Sequence, residues 1–530
     1  MALALTVLAA WLHWVFLNHA GALWRDEAAF VHIATLPTWS EVWTMQALDH
    51  CPLLPFALVR GWVALGPGAG DFGLRVLGAG LGVALLATLW FAARTVRGGA
   101  PLLALALLAT NLTVVRFTAS LRGYGLGCVL GVLTFALVWR VVQRPTWRRA
   151  ALAAVVAVLS VQSLYQNAFF LFAAGCGGML VGALRRDWRA VGLIAAVGLV
   201  AALSLAPYVP LLRHAQDAYV IVKRGFDPET GWENLALAAG HPWAGAIWIW
   251  CGLVVASIMA ALVALWRCRG VPGRDGEAGA VVFAGTALPV GIGGFAVFLH
   301  TADFPTHAWY YVPLLVFGAV CIDVALPAAQ RVVRRATPVV AVAAAVAALL
   351  VGPATLRLRQ TNIDQLAAHL AREAQPGDFI LVHPWYAGIT FARYYRGPVK
   401  WDTLPPLADH GLHRYDLLKE RLQAEDPVQP VLAAIADALR AGRRVWVVGG
   451  IPISPQPPPT LPPAPRGPRG WEDEPYSQIW GAQAGHVLAL RATHGVVAVD
   501  PSGAAVSPYE NAALLEFSGW RWQAPVYSPW

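Results

Sequence analysis

A mainly α-helical polytopic membrane protein carrying a C-terminal extracytoplasmic α/β domain is the fold class the sequence predicts, on three observations. The chain of 530 residues is 57% hydrophobic and only 13% charged, with a mean hydropathy of +0.54, far from the composition of a soluble globular protein. Apolar stretches long enough to cross a bilayer recur along the first two thirds, and arginine gathers in every second connection between them. After Pro353 the composition turns soluble, and helix and strand patterns alternate.

The apolar stretches fall at about 2–18, 72–93, 100–115, 123–142, 149–184, 190–211, 242–266, 279–299, 308–328 and 337–352. The first lacks a charged n-region and an Ala-x-Ala cleavage site, so it reads as a retained helix rather than a signal peptide. The stretch at 149–184 is too long for one crossing at a rise of about 1.5 Å per residue, and the polar break from Gln162 to Asn167 divides it, which brings the expected total to about eleven helices. Arg94 and Arg97, then Arg140, Arg144, Arg148 and Arg149, then Arg185, Arg186 and Arg189, then Arg267, Arg269 and Arg274, and finally Arg331, Arg334 and Arg335 mark the alternate connections as cytoplasmic, together with the N-terminus. The loop holding Arg25, Asp26 and Glu27, the turn near Arg116 and Arg122, the segment 212–240, the short loop from His300 to His307 and everything after Pro353 then lie outside. The net charge of +9 is thus a topology signal and calls for no nucleic-acid partner. Domains are expected at 1–353 (membrane, with the first outer loop at 20–70 carrying the site) and 354–530 (outside the cytoplasm).

The first outer loop has its own pattern. Segments 28–33 and 42–48 read as short amphipathic helices with Trp39 and Trp43 suited to an interface, and 53–65 as a partly embedded helix. The loop at 213–240 mixes charges with Tyr219, Phe226 and Trp232, as either a lid or a solvated connector. In the soluble part, 362–374 has helical spacing with Asn362 as N-cap, Phe379–Val382 reads as a strand, and 428–441 followed by Val445–Val448 repeats the order, predicting a mainly parallel sheet. The proline-rich run at 451–470 is a loop, and 487–490, 496–499 and 513–517 are candidate closing strands. The six cysteines have neither metal spacing nor a disulfide framework and read as small buried apolar residues.

Charge placed where membrane meets exterior is costly, so it marks candidate chemistry. Asp26 and Glu27 are the first candidates. A carboxylate near a low-dielectric wall, moderated by a cation such as Arg25, suits a general base for a hydroxyl nucleophile, while the structural alternative has Asp26 capping a helix that starts near Ala28. Asp49 and His50 precede Pro52 and a helix N-terminus, where an anion is favoured or an ordinary cap is formed. Arg122 and Tyr124 stand at the outer end of the fourth helix, where an arginine either snorkels to lipid or holds a lipid phosphate bidentately. Lys223 and His307 fall on the same predicted face. His300, Asp303 and His307 have zinc-like types but no strong metal spacing. Neither a P-loop, nor a strand-anchored Gly-x-Gly-x-x-Gly, nor a Gly-x-Ser-x-Gly element is present, which removes the nucleotide-loop and serine-hydrolase classes.

These residues together resemble membrane glycosyltransferases of the GT-C superfamily, in the branch of protein O-mannosyltransferases and lipid A aminoarabinose transferases. The resemblance covers roughly residues 1–353. It lies in the Asp26-Glu27 pair after the first helix, a His-x-Pro-Leu stretch (His50, Pro52, Leu53), an Arg-x-Tyr opening the fourth helix (Arg122, Tyr124) and the aromatic-proline run Tyr310-Tyr311-Val312-Pro313. Cys51 stands where a proline is common, and Thr306-His307 where an arginine is often found.

The resemblance implies a lipid-linked donor, a polyprenyl-phosphate sugar, and an extracytoplasmic acceptor that is lipid, glycan or protein. By position Asp26 is the base and Glu27 its orienting partner. Arg122, Tyr124, His50 and Lys223 are the donor-phosphate residues, and Arg25, Asp49, His307 and Tyr310 are acceptor or loop contacts. Phosphate is already a good leaving group, so no metal is assigned and a divalent cation is not favoured. Arginine-rich usage with only Lys223, Lys400 and Lys419 as lysines leans towards a bacterial plasma membrane. The rival classes are a transporter or lipid flippase, in which paired halves and mid-membrane polar groups are expected, and a non-catalytic scaffold.

Overall fold

The computed structural model describes residues 1–213, 227–240, 243–267, 276–302, 306–326, 346, 352, 354–466 and 472–522. They separate into two compact units. The first holds Met1–His19, His50–Leu212 and the described part of Arg224–Arg357, and the second holds Ala20–Asp49 with the described part of Leu358–Trp530. The segment 20–49, placed with the membrane part by sequence, thus belongs by compactness with the C-terminal residues.

Among the described residues of the first unit and its flanks, eight helices are long and apolar enough to cross a membrane: Ala2–His19, Asp71–Arg97, Tyr124–Gln143, Asn167–Leu184, Trp188–Arg213, Ile247–Arg267, Gly276–Thr301 and Ala308–Ala325. The chain is a multi-pass membrane protein. The long 149–184 stretch divides as expected into helices Trp147–Val161 and Asn167–Leu184. The stretch at 100–115 is not one helix. It forms Leu102–Leu108 and Leu112–Thr118 because the Asn111 side chain caps the second, accepting the Val114 N–H at 3.0 Å. The 337–352 stretch lies outside the described residues except for Val346 and Gly352.

The Val312–Ala325 helix is buried along its whole length, and aromatic side chains key the neighbouring helices to it. Phe317 stacks on Phe170 at 4.9 Å and meets Phe135 edge-on at 5.9 Å, while Phe135 packs on Phe283 at 4.6 Å. Such pairs supply packing that hydrophobicity alone cannot provide between helices in lipid. At one end of the same helix Asp323 pairs with Arg97 at 3.0 Å and accepts the Leu103 N–H at 2.7 Å and the Ala104 N–H at 3.3 Å. One carboxylate therefore ties the end of the Asp71–Arg97 helix to the start of Leu102–Leu108.

The second unit contains a five-stranded sheet of β1 (Phe379–Val382), β2 (Trp401–Thr403), β3 (Val445–Val448), β4 (His494–Val499) and β5 (Leu514–Ser518), in the order β2-β1-β3-β5-β4. β1 pairs in parallel with β2 and with β3, whereas β5 runs antiparallel to both β3 and β4. The parallel half matches the expected helix-strand alternation, and the last two strands make the sheet mixed.

Alternate residues of the central strands serve opposite faces. Ile380, Val382, Trp446 and Val448 pack on Ile363, Leu366, Leu370 and Phe391, while Leu381, Val445 and Val447 join the cluster of Leu418, Ile435, Leu439, Trp480 and Leu488. Helices Ile363–Glu373 and Gln429–Arg440 form as the periodicity predicts. Asn362 flanks the first of these helices without capping it, because its side chain exchanges hydrogen bonds with Ala512 instead. The candidate strand at 487–490 is corrected. It is the last part of the helix Glu474–Arg491, whose Trp480, Ala484 and Leu488 recur every four residues on the buried face.

Candidate functional site

The Asp26-Glu27 pair lies in the second unit, in the first turn of the helix Arg25–Ala34. Trp24 flanks that helix, and its carbonyl accepts the N–H groups of Glu27 at 2.9 Å and Ala28 at 2.8 Å. Asp26 is therefore inside the helix rather than its cap, which sets aside the capping alternative. Two acids in the first turn complement the positive end of the helix dipole. Both are buried, Asp26 at 7% exposure and Glu27 at 1%.

The Asp26 carboxylate stands between Arg25 on its own helix and His413 from the C-terminal part of the unit. Arg25 Nε is 3.7 Å from Oδ1, and His413 Nε2 is 3.6 Å from the same oxygen. His413 is held by aromatic neighbours, stacked on Tyr415 at 5.9 Å and edge-on to Trp385 at 6.3 Å. It comes from a loop that Arg414 braces, donating to Asp409 at 2.7 Å and to both oxygens of Asp416. The bond to Arg414 and the Gly411 N–H hold Asp409 below the usual carboxylate range, against the raising effect of burial. His410, in the same loop, is pushed down to about 4 by burial.

Arg25 is fastened at several points. Its guanidinium lies 4.5 Å over the Tyr386 ring and donates to the Tyr509 carbonyl at 3.1 Å, and its backbone N–H donates to Glu510 Oε1 at 3.3 Å. One residue beyond Trp24, the Leu23 N–H donates to the Tyr394 hydroxyl at 2.7 Å. Burial raises the Glu510 carboxyl to about 7, moderated by Arg25 and by hydrogen bonds from Thr361 and Thr390. Asp49 closes the helix Trp39–Asp49 in this unit.

His50, Arg122, Tyr124, His307 and Tyr310 lie in the first unit. His50 adopts φ 52°, a left-handed conformation that costs a bulky residue about 1 kcal/mol and turns the chain sharply into the helix Leu53–Ala64. Its imidazole is pushed down to about 4 by desolvation and by charge repulsion from Arg122. The side chain is nevertheless exposed, and exposure weakens the first cause more than the second. His50 thus offers a hydrogen bond rather than a charge at neutral pH.

Arg122 occupies the turn between Leu112–Thr118 and Tyr124–Gln143, and Tyr124 opens the second of these helices with 5% exposure. The turn is pinned by close backbone approaches. A Cβ at Gly78 would stand 2.0 Å from the Ala119 carbonyl oxygen, and one at Gly123 would stand 2.5 Å from that of Ser163 and 3.2 Å from Cys51 Sγ. The chain around Cys51 and the chain carrying Arg122 are therefore neighbours, as the sequence requires of His50 and Arg122 if both serve one anion. Tyr208 and Gln162 buttress this region, with the Tyr208 hydroxyl accepting the Leu53 N–H at 3.3 Å and donating to Gln162 Oε1 at 2.5 Å.

His307 and Tyr310 lie at the start of the last described span. His307 stacks on Trp309 at 4.4 Å, and Trp309 packs on Phe117 at 5.2 Å, close in sequence to Arg122. Lys223 and Asp303 lie outside the described residues. Among the described residues no three His, Cys, Asp or Glu side chains form a group able to hold a metal ion.

Sequence reasoning brought forward Arg25, Asp26 and Glu27 but not their partners His413, Tyr386 and Glu510, nor Thr390 and Tyr394, which hold Glu510 and Leu23. The dense run Asp409-His410-Gly411-Leu412-His413-Arg414 was the available signal. In the first unit it passed over Asp323, an acid inside an apolar run.

No family model matches the chain, and no curated protein does. Among solved structures the chain is similar to ArnT from Cupriavidus metallidurans bound to undecaprenyl phosphate, with TM-score 0.47 and 14% identity over 84% of this chain and 92% of that one. It is also similar to the arabinosyltransferase EmbB from Mycobacterium smegmatis, with TM-score 0.34 and 14% identity over 69% of this chain and 32% of that one.

Proposed function

We propose that this chain is an integral membrane glycosyltransferase that moves one sugar from a polyprenyl-phosphate donor to an acceptor outside the cytoplasm, with Asp26 as general base. The observation that carries the reading is the placement of Asp26: a buried carboxylate, 3.6–3.7 Å from a histidine and an arginine, in the first turn of a helix that closely follows a membrane-length apolar segment. Its support is the GT-C-like set of residues Asp26-Glu27, His50-x-Pro52-Leu53, Arg122-x-Tyr124 and Tyr310-Tyr311-Val312-Pro313.

In this reading the acceptor hydroxyl attacks the anomeric carbon while Asp26 takes its proton. The bond from that carbon to the phosphate oxygen breaks, and the electron pair leaves with the lipid phosphate, inverting the anomeric configuration. Arg122 stabilises the charge that grows on the departing phosphate by directed hydrogen bonds. Tyr124 and neutral His50 supply further hydrogen bonds, and Lys223 is assigned a second positive charge. Glu27 orients the base or the acceptor, with Arg25, Asp49, His307 and Tyr310 as loop contacts. The domain at 354–530 is extracytoplasmic, the N-terminus is cytoplasmic, and the membrane is the plasma (inner) membrane.

The test is release of free polyprenyl phosphate from a panel of labelled polyprenyl-phosphate monosaccharides by the purified chain in detergent. Acceptor-dependent release supports the reading, whereas lipid translocation in vesicles without sugar release supports a flippase. Arg122→Ala should raise KM for the donor about tenfold or more, the loss of one charge-assisted contact. An unchanged dependence on donor concentration counts against its phosphate role.

A further inference from the structure

The helix that carries Asp26 begins at Arg25, so the Arg25 N–H is one of the donors that no residue of the helix itself can satisfy. Glu510 supplies the acceptor from the far end of the sequence, with Oε1 3.3 Å from that nitrogen. Its carboxylate is in turn fixed by the Thr390 hydroxyl, 3.0 Å from each oxygen, and it is 5% exposed. Thr390 and Tyr394 stand four residues apart in the helix Ala387–Tyr394, the spacing that puts two side chains on one face. Tyr394 receives the Leu23 N–H, and the Tyr509 carbonyl receives the Arg25 guanidinium. Two of the three residues immediately before Asp26 are thus hydrogen-bonded to the C-terminal part of the same unit. The third, Trp24, packs on Tyr509 at 6.0 Å.

We infer that Glu510 is a positioning residue for Asp26: by accepting the Arg25 N–H from a seat fixed by Thr390, it sets the direction in which the first helical turn presents the base. The inference rests on the assignment of Asp26 as general base. The post needs an acceptor oxygen of this reach, and a carboxyl there is compatible with the positive end of the helix dipole and with the nearby Arg25 guanidinium. The same carboxyl is raised to about 7 by burial, so near neutrality it exchanges between a charged and a neutral hydrogen-bonded form. Glutamine preserves the acceptor and the shape; alanine removes both.

The experiment measures amide hydrogen exchange on the full-length chain in detergent, with Glu510→Ala, Glu510→Gln and Thr390→Val beside wild type, and turnover on the lipid-donor panel. Glu510→Ala should speed exchange of the Arg25 amide about tenfold, the equivalent of one lost hydrogen bond, while amides of β1 and β3 keep wild-type rates. Its kcat should fall with KM for the donor unchanged, and Glu510→Gln should restore both. Unchanged exchange at Arg25 in Glu510→Ala overturns the proposal, and so does a Glu510→Gln variant as impaired as Glu510→Ala. Should Glu510→Ala fail to fold, Thr390→Val carries the test, with faster exchange at Arg25 expected and wild-type exchange contradicting it. The exchange readout does not depend on the reaction. If it responds as expected while Asp26→Asn turns over normally, the base assignment falls and the Glu510 contact to Arg25 stands; if exchange is silent and Asp26→Asn is inactive, the positioning role alone falls.

Discussion

Asp323 in the first unit and Glu510 in the second are both buried acids, 1% and 5% exposed, and they meet the cost of burial with different kinds of partner. Asp323 has a full ionic complement, with Arg97 at 3.0 Å and the N–H groups of Leu103 and Ala104 filling its other oxygen. Arg97 also donates to the Ala100 carbonyl at 2.6 Å, so both partners are fixed. Glu510 instead collects hydroxyls and one backbone N–H, while the Arg25 guanidinium nearby is shared among the Tyr509 carbonyl, the Tyr386 ring and the Asp26 carboxylate. The first arrangement fastens three helix ends through one arginine and two backbone N–H groups gathered on a single carboxyl. The second holds a segment next to the proposed base through a group whose charge can change near neutral pH.

The largest expected effect comes from breaking the first arrangement. Asp323→Ala strands the Arg97 charge among apolar helices and should cost about 3–5 kcal/mol, read as a lowered midpoint of thermal unfolding in detergent. The double variant Arg97→Met with Asp323→Leu removes both charges together and should recover most of that loss, since a well-packed apolar pair often matches a buried ion pair. A double variant as unstable as the single one would show that Asp323 matters for its contacts to Leu103 and Ala104 rather than for its pairing.

A smaller effect sharpens the other side. The Glu510 carboxyl is raised from 4.5 to about 7, so the folded chain binds this proton more tightly than the unfolded chain. The stability it contributes is complete below about pH 4.5, declines as pH rises and is gone above about pH 7. Arg25 and Tyr386 are the titratable groups that act on it. Glu510→Gln cannot ionise, so its unfolding free energy should rise relative to wild type between pH 4.5 and 7 and stay level beyond, by about 1–3 kcal/mol in all. A difference that is constant across this window would place Glu510 among ordinary, pH-insensitive contacts.

The same contrast separates what was legible in the sequence from what was not. Membrane helices announce themselves by length and composition, and β1 and β3 by unbroken apolar runs between polar turns, because these signals are local. Val487 to Leu490 misled because a short apolar run fits strand and helix alike, and only Trp480 and Ala484 farther back reveal the helical period. Trp401–Thr403 is too short to carry a pattern. Asp26 stood out because charge is rare in that part of the chain. Its surroundings did not, since Arg25 and Glu510 are 485 positions apart and nothing in either local sequence points to the other.

The most direct test of the central claim is the single-turnover rate of sugar transfer from a pre-bound labelled polyprenyl-phosphate donor by Asp26→Asn, compared with wild type at equal folded content. Asparagine keeps the size of the side chain and its place in the first helical turn but cannot accept the proton, so the rate should fall by about a hundredfold or more while donor binding persists. Transfer within a few-fold of wild type would contradict the account.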